Sequence, residues 1–165
     1  MARYSAAWSN VTSAALADTV AATNAAYPGS LRGGGASVLG RINEVYIGGM
    51  ETASSNATDM ILARASTVSV GALSVGTNAL VDVQATAPGT VFSWGNTAAT
   101  SGAQRSSTLY LLGLALNAYG GISRWQARVG EEITVFGNAN NAGEVLLSPK
   151  TGTGKTSGHL IYEVV

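Results

Sequence analysis

The sequence predicts an all-β fold, a sandwich or a barrel, for a chain of 165 residues. Three observations predict it. Most segments alternate polar and apolar residues with period two. Clusters of Gly, Asn, Ser and Pro interrupt them about every dozen residues, the spacing of short strands in sandwiches and barrels. Helix signals are thin, and the Ala-rich stretch "SAALADTVAATNAA" is weakened by its Thr and Val positions and its flanking Asn.

Taken in order, the first predicted strands are Arg3–Trp8, Leu16–Thr23 and Leu39–Ile47. Between the second and third lies "NAAYPGSLRGGGAS" (24–37), a Gly-rich stretch that reads as a long loop. Asp59–Val70 and Leu80–Thr86 follow, then the loops "TAPGT" (86–90) and "SWGNTAATSGAQRSS" (93–107). The 24–37 and 93–107 loops exceed ordinary connection length, as loops that carry contacts often do. Ser107–Asn117 is the most apolar strand together with "RINEVYIGG". Long inner strands of a two-sheet sandwich read this way, with Leu109, Leu111, Leu112, Leu114, Ile42, Val45 and Ile47 as core. Ser123–Arg128 and Glu132–Phe136 come next. "GNANNAGE" (137–144) reads as a hairpin turn, since Asn and Gly tolerate positive φ. Glu144–Ser148 and Gly158–Val164 close the series.

The ending "TGTGKTSGHLIYEVV" resembles the lysine half of a phosphate-binding loop through Gly154, Lys155 and Thr156. That loop requires a leading glycine, and its position holds Pro149; it also requires a helix after it, where "GHLIYEVV" alternates as a strand does. Two strands joined by a polar loop with Lys150 and Lys155 at its tip is the better reading.

Composition bounds the function. Nine basic and nine acidic residues give zero net charge and no clustered cations, so neither nucleic acid nor an anionic membrane is an expected partner. Ala, Gly, Ser and Thr supply 81 of 165 residues, which leaves few long charged side chains to solvate the surface. Such a surface suits a protein that works assembled, with copies of itself or with a lattice. With no cysteine there is neither disulfide nor thiolate metal site. The most apolar run, "LYLLGLAL" (109–116), is too short to span a bilayer, and the first residues lack a signal-peptide pattern, so synthesis in the cytoplasm without export is expected. One domain of ordinary size is expected, with residues 1–15 as an extended N-terminal arm.

Catalytic chemistry is poorly supplied. His159 is the single histidine and has no G-x-S-x-G elbow with it. The carboxylates are scattered, with only Glu131 and Glu132 adjacent, and no D-x-D spacing offers calcium a site. No catalytic, cofactor-binding or metal-binding residue is expected, and no enzyme. The aromatics Tyr4, Trp8, Tyr27, Trp94, Tyr119 and Trp125 fit either sugar stacking or an interface. Arg124, Trp125 and Arg128 in "SRWQARVGEE" fit interface anchors, because Trp, Tyr and Arg dominate hot spots.

The order of "ARYSAAWSNVTSAA", "RINEVYIGG", "DMILARAS", "FSWGN", "RVGEEITVFGNANNAGEVLLS" and "SGHLIYEVV" resembles small β-sandwich virion proteins of tailed phages, which decorate or cement the head. The resemblance implies a jelly-roll-like sandwich on the capsid exterior, made in the host cytoplasm. It also implies a homotrimer that bridges subunits of the major capsid protein and has no cofactor. The expected assembly contacts are Arg3, Tyr4 and Trp8 on the arm, Tyr27 and Arg32 in the loop at Tyr27–Gly35, and Arg124, Trp125 and Arg128. Removing residues 1–10 is then expected to spare the fold. A carbohydrate- or receptor-binding module and a tail or neck component are the rival readings.

Overall fold

The computed structural model describes residues 2–22, 27–33, 38–52, 57–70, 73–75, 77–82, 92–98, 102–136 and 143–165. Twelve strands are found there: β1 Ala2–Ala14, β2 Gly29–Gly33, β3 Leu39–Gly49, β4 Ala57–Thr67, β5 Leu73–Val75, β6 Thr77–Leu80, β7 Phe92–Ala98, β8 Gln104–Asn117, β9 Ile122–Gln126, β10 Ile133–Phe136, β11 Glu144–Thr151 and β12 Thr153–Val164. They form two antiparallel sheets packed face to face, an all-β sandwich. The first sheet runs β10-β3-β12-β1-β6 with β9 also on β3, and the second runs β5-β7-β2-β11-β4-β8.

Setting β5, β6 and β7 aside, the first sheet is β1-β12-β3-β9/β10 and the second is β2-β11-β4-β8. That is the strand order of a jelly roll, in which successive strands change sheets and the first strand lies beside the last. The segment β5–β7 is an insertion between β4 and β8. It extends the first sheet beyond β1 and the second beyond β2, on the same side of the sandwich.

Alternation builds the core. In β1 the residues Tyr4, Ala6 and Trp8 point inward; Tyr4 stacks on Tyr162 at 5.3 Å between centroids, and Trp8 tilts against Trp94 at 5.7 Å. Ile42, Val45, Ile47, Leu62, Leu147 and Leu160 complete the same cluster. Two of these break strict alternation, since Ile42 and Val45 are three apart and both fully buried. A register shift against β12 resolves this: Glu44 faces Ile161, Ile42 faces Tyr162, and Asn43 is the extra residue. The bulge turns Asn43 and Glu44 outward together.

Several expectations are corrected. Residues 2–14 are no arm: β1 sits in the middle of its sheet, paired with β12 from Ala2↔Val164 to Ala14↔Thr153 and with β6 on its other side. Leu16–Thr23 is not a strand over its described residues. Residues 15–22 form a strap across the outside of the second sheet, bonded by Leu16 N to Pro149 O (3.0 Å), Thr19 N to Arg105 O (2.9 Å) and Ala22 N to Ala103 O (2.8 Å). The strap buries Leu16, Ala22 and Leu146 in a second apolar cluster, so β11 is covered on both faces. The two long loops each contain a strand, β2 within 24–37 and most of β7 within 93–107. Leu80–Thr86 shrinks to its first residue, which ends β6; residues 83–86 and the loop 86–90 lie outside the described residues. The hairpin turn expected at 137–144 falls largely outside the described residues; the strands before and after it, β10 and β11, belong to opposite sheets.

Lys150 and Lys155 sit in β11 and β12 rather than at a loop tip. The turn between them is Gly152, at φ +77° with Ala57 O only 2.3 Å from where a Cβ would stand. Leu109 is 47% exposed and Leu111 and Leu112 are half-buried, because β8 is the edge of its sheet and bulges there.

Candidate functional site

The outer face of the first sheet carries a polar cluster that follows from the Asn43 bulge. Turned outward, Glu44 accepts two bonds from Arg124, Nε at 3.1 Å and Nη2 at 2.9 Å, and one from His159 Nε2 at 3.1 Å. The His159 ring stacks on Tyr46 at 5.4 Å. The Arg124 hydrogen bonds hold the Glu44 carboxyl below the usual range against its partial burial, with His159 adding to them. Beside the cluster, Arg3 Nε donates to Glu163 Oε1 at 2.6 Å. Both oxygens of Glu132 accept from Gly130 N at 3.1 Å, which lowers that carboxyl too.

These groups border a groove of about 420 Å³ lined by Arg3, Arg41, Asn43, Gln126 and the three carboxylates Glu44, Glu132 and Glu163. Each of the three carboxylates accepts at least one bond and Arg3 donates one, while the side chains of Arg41, Asn43 and Gln126 make no hydrogen bond among the described residues. The groove therefore offers N–H groups to a ligand rich in acceptor oxygens. Glu44 is thus shared between Arg124 and His159.

A second surface lies at one end of the sandwich, where the turns after β3, β8 and β11 meet. Gly49 N bonds Gly121 O, Met50 N bonds Lys155 O and Glu51 N bonds Ala118 O, each at 2.8 Å. This places Met50, Tyr119 and Ile122 close together, at 50%, 58% and 65% exposure. Next to them is a shallow depression of about 520 Å³ between the ends of β4 and β8, lined by Ala57, Thr58, Asp59, Ala115, Leu116, Asn117 and Thr151. It is mostly apolar.

The third cluster fastens the strap. Arg105, fully buried, donates to Asp18 Oδ1 (2.6 Å), Ser148 Oγ (2.9 Å), Pro149 O (3.1 Å) and Leu16 O. Asp18 also accepts from Tyr110 Oη (2.6 Å) and Lys150 Nζ (2.9 Å), and Lys150 lies 4.7 Å from the Tyr110 ring centre. Burial pushes the Asp18 carboxyl up, but the bonds from Tyr110, Arg105 and Lys150 outweigh it and hold the group well below its ordinary value. A depressed carboxyl contributes stability in full above the unfolded-state pKa of about 4 and loses it as pH falls toward the folded one. Melting temperature followed between about pH 5 and pH 2 is expected to fall less steeply in Asp18→Asn than in the parent. An equally steep acid limb would remove Asp18 from that role.

The structure separates the predicted contact residues into two groups. Tyr4, Trp8 and Tyr27 are buried in the two apolar clusters and present no aromatic surface to a partner. Alternation aims Tyr4 and Trp8 inward, and Trp8 Nε1 donates to Thr156 Oγ1 at 3.4 Å. Tyr27 lies under the strap, where burial and the nearby Glu144 charge raise its hydroxyl pKa. Arg32 donates to Ser69 O at 2.5 Å and Ser69 Oγ at 3.0 Å. Ser69 in turn bonds the fully buried Glu144, which also takes Ser30 Oγ at 2.5 Å. Arg32 thus belongs to a structural staple. Trp125 is half-buried against the core. Trp94, a sugar-stacking candidate, is buried as well.

Arg3, Arg124 and Arg128 stay on the surface. Arg3 and Arg124 flank the groove, and Arg128 sits between its lining residues Ala127 and Val129. Sequence reasoning missed Arg41, Asn43, Gln126 and the Glu44–His159 pair. The odd spacing of Ile42 and Val45 was the signal for the bulge that assembles them. Among the described residues no group of three or more His, Asp or Glu is placed to hold a metal ion, and no helix is long and apolar enough to cross a membrane. Comparison with protein families, curated proteins and solved structures finds no match.

Proposed function

We propose that this chain is a structural virion protein that binds the outside of a phage capsid and cements or decorates it by bridging neighbouring subunits of the major capsid protein. The observation that carries the reading is the apolar end of the sandwich. Met50, Tyr119 and Ile122 stand half or more exposed beside a shallow, mostly apolar depression. Exposed aromatic and aliphatic side chains gathered at one place suit a protein partner better than a small ligand. A clamp that binds only the assembled shell stabilises it by mass action, and repetition over a symmetric lattice converts weak contacts into avidity. The resemblance of its segment order to phage head decoration proteins supports the same reading and implies a homotrimer, made in the host cytoplasm and carried on the virion.

The test is the copy number of the chain in purified virions, measured by quantitative mass spectrometry against the shell protein. A simple ratio to the shell subunit is expected, together with loss of shell binding in Tyr119→Ser/Ile122→Lys. A dozen copies or fewer, on the order of one vertex or tail, would replace the lattice reading by a tail or neck component.

The groove on the first sheet favours a second reading, a carbohydrate- or receptor-binding module. Free donors on Arg41, Asn43 and Gln126 match the hydroxyl and carboxylate oxygens of a glycan. Titration of an acidic oligosaccharide, followed by amide NMR shifts confined to this face, would support it.

A further inference from the structure

The strap of residues 15–22 is held to the sandwich at few points. Leu16 and Ala22 are buried, and the residues between and beside them are partly or fully exposed. Its backbone bonds go to Pro149, Arg105 and Ala103, and among the described residues Asp18 alone binds through its side chain. At its centre the backbone is strained. Thr19 stands at φ +61°, in the left-handed region that a β-branched residue enters only at a cost. The sheet beneath is irregular too: β4 and β8 shift register three times between Leu62 and Thr67, and β11 slips against β4 between Pro149 and Thr151. Segments with few buried contacts and solvent-exposed bonds open at lower free energy than the domain that carries them.

We propose that the strap opens as a unit while both sheets stay folded, uncovering the second apolar cluster. Strain at Thr19 favours opening. Asp18, its neighbour, opposes it by holding Arg105 and Tyr110 of β8 and Lys150 of β11. The sheets survive because the strap supplies no strand to their ladders: its one bridge is Ala21↔Gln104, and β2, β11, β4 and β8 pair with one another without it. Arg105 keeps Ser148 and the Pro149 carbonyl as partners when the strap leaves. Leu146, Tyr27, Ala65 and Ala103 then lose their cover. The chain thereby holds an apolar surface, on the far face of the sandwich from the groove, that it presents only in the open state. This device goes beyond the proposed place on a shell and does not depend on it.

The chain has no cysteine, so a single introduced thiol reports the opening. Ala65→Cys places it in the cluster under the strap, and Ala6→Cys places it between the sheets, where unfolding of the sandwich is needed to expose it. In native buffer Ala65→Cys is expected to react with iodoacetamide more than about tenfold faster than Ala6→Cys, at a rate that dilute urea changes little, because a local opening exposes little surface. Adding Thr19→Asn, which accepts the left-handed region, is expected to slow that labelling on the order of fivefold. Adding Asp18→Asn is expected to quicken it on the order of tenfold through loss of charge-assisted bonds. Equal labelling at the two positions, or labelling indifferent to Thr19→Asn, would overturn the proposal. If Ala65→Cys does not fold, hydrogen exchange in the parent chain decides: the Leu16, Thr19 and Ala22 amides are expected to exchange well ahead of those of Leu160 and Tyr162, and exchange of both sets in one step would overturn it.

Discussion

Replacing Arg105 by alanine is expected to destabilise the fold by about 3–5 kcal/mol, from buried acceptors left without their donor at about 1–3 kcal/mol each. The guanidinium is wholly enclosed, and its loss unpairs several groups at once. Ser148 Oγ and the carbonyls of Leu16 and Pro149 would forfeit a donor in a place water reaches poorly, while the partly exposed Asp18 would keep its bonds from Tyr110 and Lys150. The strap they hold covers Leu146, so part of the second apolar cluster opens with it. Lysine is expected to recover little of this, since a point-like ammonium cannot serve acceptors spread around a planar fork. Urea unfolding provides the measurement: a lower midpoint is expected, with raised protease sensitivity across residues 15–22. A loss under about 1 kcal/mol would mean that the strap holds without its buried cation.

Removing residues 2–8 is expected to abolish folding altogether. This reverses the expectation for a free arm, and the reason is position. β1 separates β12 from β6, and its loss takes Tyr4 and Trp8 out of the core. Large aromatics cost about 3–5 kcal/mol each when truncated to alanine, against a total stability of about 5–15 kcal/mol for a domain. Tyr162 would lose its stacking partner and one edge of β12 would stand open. Circular dichroism and amide NMR of the truncated chain should show no cooperative β structure. A native-like spectrum would mean that β12 and β3 form the sheet without β1.

The legible parts of this fold are the strands with one wet face. β9 alternates cleanly and β3 does so on either side of its bulge; the observed β3, β9 and β10 lie within two residues of their predicted ends, whereas β12 begins five residues earlier than expected, at Thr153. Hidden parts have specific causes. β2 is short and Gly-flanked, so "GSLRG" carries too few side chains to show a period. The strap alternates because it is buried on one side, yet it lies across a sheet instead of joining it. β11 was legible as the strand Glu144–Ser148, but its burial on both faces was not, since that depends on the strap. The aromatic anchors were misplaced for a related reason: Tyr and Trp serve cores and interfaces alike, and composition does not say which. Alternation did say it for Tyr4, Ala6 and Trp8, since residues two apart share a face. The groove depended on a bulge, which a single sequence signals only through the three-residue spacing of Ile42 and Val45.

Pairing of β1 with β12 also governs how the chain is born. Trp8 cannot reach Thr156 until a further 148 residues have been synthesised. At bacterial to eukaryotic elongation rates that interval is roughly seven to thirty seconds. Throughout it a strand bearing Tyr4, Ala6 and Trp8 waits without its main partner, so the sandwich closes only once β12 has left the ribosome tunnel. Assembly thereby waits for β12, and a product truncated before it has no complete first sheet with which to enter it.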